Sequence, residues 1–211
     1  HFWMYPLACL PAKLLLRSLG ADELLAFALT NAVLCSGATA LVLLAAPWRV
    51  GTRIGFLSLC LLNPTVLYVT WPSPEVFSWT ACVAGIVLAE RGHLAGPAAV
   101  AIGAMQNPPV LLIAPLLAWR LARARGWKAG AQSLLAGGAI AMVPAIFYGW
   151  QCRMPNPIVS LGAASTAFVS LAKVLDVFFD LTQGILAYAP ISLAATGIAL
   201  VAPGRRAAAL R

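Results

Sequence analysis

Side chains able to do acid–base or phosphate chemistry are few in this chain, and they fall into small groups. Glu75 follows Trp71, Pro72, Ser73 and Pro74. At the start of a helix the N-terminal dipole favours such a carboxylate, which then either faces interfacial water or points into a shared cavity. Gln106 and Asn107 precede Pro108 and Pro109. Two amides beside a proline pair either satisfy a broken helix or line a substrate cavity. Arg153 and Lys173 offer charge-assisted bonds to a lipid phosphate, with interfacial snorkelling as the plainer use. Asp180, Gln183 and Tyr188 lie in one short run with Thr182 and Pro190. They bring an acid, an amide and a phenol together, and a helix cap alone explains only Asp180 or Thr182.

Metal and soluble-enzyme chemistry finds little support. There is no phosphate-binding glycine loop and no HExxH, and the only histidines are His1 and His93. Cys9, Cys35, Cys60, Cys82 and Cys152 show no CxxC or Cys/His spacing. They read as small apolar packing residues, so no metal, no disulfide framework and no certain cofactor is expected.

The elements that must position these groups are helices in lipid. The hydrophobic fraction is 62% and the charged fraction 9%, too few polar side chains to clothe a water-facing surface of 211 residues. The net charge of +8 sits in short clusters between apolar runs and not on one basic face with interleaved aromatics, so membrane topology is expected and nucleic acid is not.

Those clusters are Arg49 and Arg53; Arg91; Arg120, Arg123, Arg125 and Lys128; and Arg205 and Arg206. By the positive-inside rule they are cytoplasmic. Between them Leu24 to Ala46 descends, Ile54 to Thr70 ascends, Val76 to Ala89 descends and Gly130 to Trp150 rises. Gln151 to Gln183 is then external, with an amphipathic helix around Phe168 to Phe178, and Gly184 to Val201 returns. At the other end, Phe2 to Leu16 is expected to be a broken or in-plane helix on the external side, which leaves Lys13 and Arg17 on the face the rule disfavours.

The stretch from His93 to Trp119 is the most informative. Both of its ends carry cytoplasmic charge, while Pro108 and Pro109 forbid one straight helix. It is expected to be a hairpin of two half-helices of about 11 residues, each reaching roughly 16 Å. Its tip must be covered by protein or line a wet cavity, because lipid cannot satisfy the freed backbone groups. The fold class expected is all-α, a polytopic transmembrane helical bundle with a short half-helix hairpin. It forms a single transmembrane domain over residues 1–211, read as a piece of a larger one.

Four stretches carry a resemblance: Tyr5, Pro6 and Leu7; Pro74, Glu75 and Val76; Gln106, Asn107, Pro108 and Pro109; and Gln183 to Pro190. In this order the chain resembles integral-membrane glycosyltransferases of the GT-C class, in the bacterial branch that uses polyprenyl-phosphate sugars. The resemblance implies a multi-pass enzyme of the bacterial inner (plasma) membrane, with membrane lipid around it. It would transfer a sugar from a lipid-linked sugar phosphate to an acceptor on the external side, with inversion. In that class a carboxylate of the first external loop is the general base. Such a loop would lie before His1, so no catalytic residue is assigned within the chain. The substrate-binding candidates are Glu75, Gln106, Asn107, Arg153, Lys173, Asp180, Gln183 and Tyr188. The rival class is a multi-pass transporter or lipid flippase, in which the broken hairpin is a discontinuous binding helix.

Overall fold

The computed structural model describes residues 4–61, 67–154 and 170. These residues form helices and no strand: α1 (Met4–Ser18), α2 (Leu25–Ala45), α3 (Val50–Leu61), α4 (Glu75–Glu90), α5 (Ala95–Ala104), α6 (Ile113–Arg125) and α7 (Trp127–Cys152). A 3-10 segment, Pro108–Leu112, leads into α6. The external segment and closing helix expected after residue 154 lie outside the described residues.

Local chemistry sets the helix ends. The Asp22 carboxylate accepts from the Leu24 N–H at 2.9 Å just before α2. Ala46 is extended, with ψ 135°, as the residue before Pro47 must be. Arg53 then reaches back from α3 to the carbonyls of Trp48 and Leu43, where a cation satisfies acceptors at a helix C-terminus. After α4, Gly92 takes φ 78° and closes a Schellman motif: Gly92 N donates to Ala89 O and His93 N to Leu88 O, both at 2.8 Å.

The opening segment is a continuous helix that carries Pro11 inside it, so of the two expected forms the broken one is corrected. Pro11 interrupts the hydrogen-bond ladder of α1 by removing one donor but does not end the helix. The second apolar run also differs from expectation. The α-helix there starts at Val50 and is assigned only to Leu61, and the chain from Leu67 to Ser73 is turn, with Trp71 N donating to Tyr68 O at 3.1 Å. Pro72 and Pro74 remove the donors a helix would need at that point.

The expected hairpin is present. α5 ends at Ala104, the chain turns through Met105 to Leu112, and α6 comes back beside α5. Two contacts fix the return: Arg120 binds Glu90 at 2.8 Å, and the Arg125 guanidinium lies against Gly92. Ala89, Val100, Ala114, Leu117 and Leu121 form the seam between α4 and the two arms. The arms are about 15 Å and 20 Å long at 1.5 Å per residue.

α4 is the centre of the packing. On one side Val83 and Val87 meet Ala38 and Val42 of α2, Ala46 just after it, and Leu57 of α3. On the other side small residues let backbones touch. A Cβ added at Gly85 would come within 2.8 Å of Gly96 O, and one at Gly103 within 2.8 Å of Ala81 Cβ. α7 packs on the hairpin in the same manner, with Gly130 against Ala118 and Gly137 against Pro97. Close approach through small residues is how helices associate where no hydrophobic driving force separates them from the solvent.

Two helices, Leu25–Ala45 and Trp127–Cys152, are long and apolar enough to cross a membrane. Only 22% of each spanning window is buried within the protein, and large apolar side chains on both helices, Leu44 and Leu135 among them, are exposed.

Candidate functional site

The polar groups of the described residues converge where α1, α2, α4 and the hairpin tip meet. Tyr5, in the first turn of α1, has a backbone N–H with no partner inside its own helix. Gln106 Oε1 accepts it at 3.0 Å. The Tyr5 hydroxyl donates to Asn31 Oδ1 at 2.9 Å, and Asn31 Nδ2 donates to the carbonyls of Tyr68 (3.1 Å) and Trp71 (2.9 Å). Asn31 is wholly buried, so one amide ties α1 and α2 to the turn that launches α4. The Tyr5 ring packs beside Phe27 and Phe77, at centroid distances of 5.7 and 6.2 Å.

Glu75 is the first residue of α4, as expected for a carboxylate favoured by the helix dipole. Its side chain is exposed and accepts a hydrogen bond from Ser73 Oγ. It lies close enough to Tyr5 for the two to interact electrostatically. Asn107 is half-buried in extended backbone and makes no side-chain capping bond, leaving its amide available at the tip. Gln106 is used structurally, as the partner of Tyr5.

No family model matches the sequence, and no curated protein or solved structure is similar to it. The site therefore stands on its own geometry.

The structure brings Glu75, Gln106 and Asn107 to one end of the bundle. Arg153 follows α7, exposed, with φ 58° and its N–H on Tyr148 O. Lys173, Asp180, Gln183 and Tyr188 lie outside the described residues, as does the expected approach of Asp180 to Glu75. Among the described residues no group of histidine, cysteine and carboxylate side chains is placed to hold a metal.

Sequence reasoning missed Asn31. Its signal was present: a lone amide inside the apolar run Leu24 to Ala46, where a polar group has to find a partner. It also missed a groove of about 390 Å³ between α1 and α2, lined by Ala8, Pro11, Ala12, Leu15, Leu29, Thr30, Val33 and Leu34. Apart from Thr30 the lining is apolar, and its Ala8 end adjoins the packing around Tyr5 and Cys9.

The electrostatics of the α1–α2 turn answer a difficulty in the charge pattern. Lys13 and Arg17 both pair with Glu23, at 3.3 and 2.7 Å. The Arg17 guanidinium holds the Glu23 carboxyl below the usual carboxylate range, with Lys13 adding to the effect. Two cations that the positive-inside expectation disfavours here thus share one carboxylate, which offsets one of their two charges.

Proposed function

We propose that this chain is the transmembrane helical core of a bacterial membrane glycosyltransferase that takes a sugar from a polyprenyl-phosphate-linked donor and passes it to an acceptor on the external side. The observation that carries this reading is the convergence of three sequence stretches. Tyr5, the Pro74 to Val76 stretch and the Gln106 to Pro109 tip are far apart in the chain; Tyr5 N bonds Gln106 Oε1, and the Tyr5 ring packs beside Phe77, the residue that directly follows Val76. Those are three of the four stretches on which the GT-C resemblance rests.

Membrane insertion is supported by the unburied apolar faces of α2 and α7 and by the small-residue seams. The tip bears polar groups at the same end as Glu75, and Arg91, Arg120, Arg123, Arg125 and Lys128 collect at the other end, at the base of the hairpin. By the positive-inside rule this supports a polar end that faces outside. The groove between α1 and α2, about 390 Å³ with an almost wholly apolar lining, suits part of one isoprenoid chain, whose phosphate would then lie toward the polar end. α7 contains Pro144 yet is continuous, so it does not supply a second discontinuous helix of the kind a transporter built from two repeats would use.

Asn107→Leu tests the site. In membranes carrying the full chain, supplied with a radiolabelled polyprenyl-phosphate sugar, transfer should fall about tenfold, the worth of one hydrogen bond to a charged group. Insertion and expression should stay near wild type, because the Asn107 side chain caps nothing. Wild-type transfer by the variant would reduce the tip to architecture, and failure of the wild-type protein to bind any such donor would remove the reading.

A further inference from the structure

The base of the hairpin, at the opposite end from Tyr5 and Glu75, carries an excess of positive charge among the described residues. Arg91, Arg120, Arg123, Arg125 and Lys128 gather where α4 turns into α5 and α6 turns into α7. Among the described residues Glu90 is the one carboxylate there, and Arg120 already occupies it at 2.8 Å. The fold sets the α4–α5 turn against the end of α6: a Cβ at Gly92 would approach Arg125 Nε to 3.1 Å, and Gly92 directly follows Arg91. Arg123 lies over the Trp119 ring, 5.6 Å from its centroid. Like charges drawn together beside a low-dielectric phase repel strongly unless an anion joins them.

The surroundings indicate which anion. Trp119 is 59% exposed, Trp127 73% and Leu116 63%, so the cations border bare aromatic and aliphatic surface. A phosphate attached to acyl chains matches both halves of that surface, with oxygens on the guanidinium groups and chains along the apolar flank. A free phosphate would leave the apolar half bare.

We propose that the hairpin base is a binding site for the headgroup of an anionic phospholipid, held by Arg91, Arg125 and Lys128 beside the Trp119 and Trp127 rings. This rests on the membrane reading given above and adds a particular lipid class and position to it. By bridging the α4–α5 turn to the end of α6, the phosphate would hold the two arms of the hairpin together at the end remote from the tip.

Native mass spectrometry of the full chain in detergent, titrated with phosphatidylglycerol and separately with phosphatidylcholine, tests it. The wild-type protein should bind phosphatidylglycerol at least tenfold more tightly. Each cation near an anionic headgroup contributes about fivefold, so R91Q/R125Q should lose about 25-fold in phosphatidylglycerol affinity with phosphatidylcholine binding unchanged. Should that variant fail to fold, R91Q/K128Q changes two exposed side chains and is expected to show the same loss. Equal binding of the two lipids by the wild-type protein, or wild-type affinity in the variants, would overturn the site while retained phosphatidylcholine binding left the membrane reading standing. Full displacement of phosphatidylglycerol by millimolar inorganic phosphate would likewise overturn it in favour of a plain phosphate pocket.

Discussion

Gly85→Leu should separate α4 from the hairpin and abolish the folded bundle. Even a single Cβ at this position would lie 2.5 Å from Val100 Cγ2 and 2.8 Å from Gly96 O. Val100 has some freedom, but the carbonyl belongs to the backbone of α5 and can yield only if the whole helix moves. Overpacking of this kind costs about 1–3 kcal/mol for a few added carbons. Gly85→Ala should therefore lose about 2 kcal/mol, and the leucine variant should exceed the 5–15 kcal/mol margin at its lower end once the α4–α5 and α4–α6 contacts are lost together. Gly138→Ala is the control. Nothing lies within 4 Å of its added Cβ, and alanine favours the helix by up to about 1 kcal/mol. Unfolding in detergent, followed by circular dichroism with increasing sodium dodecyl sulfate, reads both changes. Equal stability of the Gly85→Ala and Gly138→Ala variants would mean that the seam is not close-packed.

Asn31→Leu has the second largest expected effect. The wild-type amide serves one hydroxyl and two carbonyls, and leucine leaves the Tyr5 hydroxyl and the Tyr68 and Trp71 carbonyls without that partner in a buried place. Orphaned groups cost about 1–3 kcal/mol each in water-soluble proteins, whereas interhelical hydrogen bonds in membranes average about 0.6 kcal/mol. Three groups together should cost about 2–3 kcal/mol. A double-mutant cycle with Tyr5→Phe isolates the Tyr5–Asn31 bond, for which a coupling of about 1 kcal/mol is expected. Loss of the Asn31 amide should also free the turn before α4, so backbone exchange at Tyr68 to Ser73 should quicken. Unchanged stability and exchange would show that the amide is not the tie between α1, α2 and that turn.

The sequence disclosed the helices whose signals are local. α2 and α7 lie close to the runs Leu24 to Ala46 and Gly130 to Trp150, because a long apolar stretch has few alternatives to a helix. The hairpin was legible because two prolines and two basic flanks constrain it from both sides. What escaped was pairwise. Nothing in the pattern around Gly85 and Gly96 says that these two glycines face each other across two helices, since small residues are common in apolar helices wherever they point. Asn31 could be marked as a polar group needing a partner, but its partners lie 26, 37 and 40 residues away in sequence. The dual use of the tip was equally hidden. Gln106 and Asn107 look alike in sequence, yet one is bound to α1 and the other makes no capping bond.

The proposed placing of the hairpin tip outside requires that α7 cross the membrane with its C-terminal end external, and labelling at its two ends tests that most directly. Lys128 and Gln151 are both exposed, near opposite ends of Trp127–Cys152, and about 35 Å apart along the axis at 1.5 Å per residue, more than the hydrocarbon thickness of roughly 30 Å. With the native cysteines removed, Gln151→Cys should react with an impermeant thiol reagent in intact cells, and Lys128→Cys only after the membrane is opened. Reaction of both from the same side, or of Lys128→Cys alone in intact cells, would contradict the proposed topology and with it the external site.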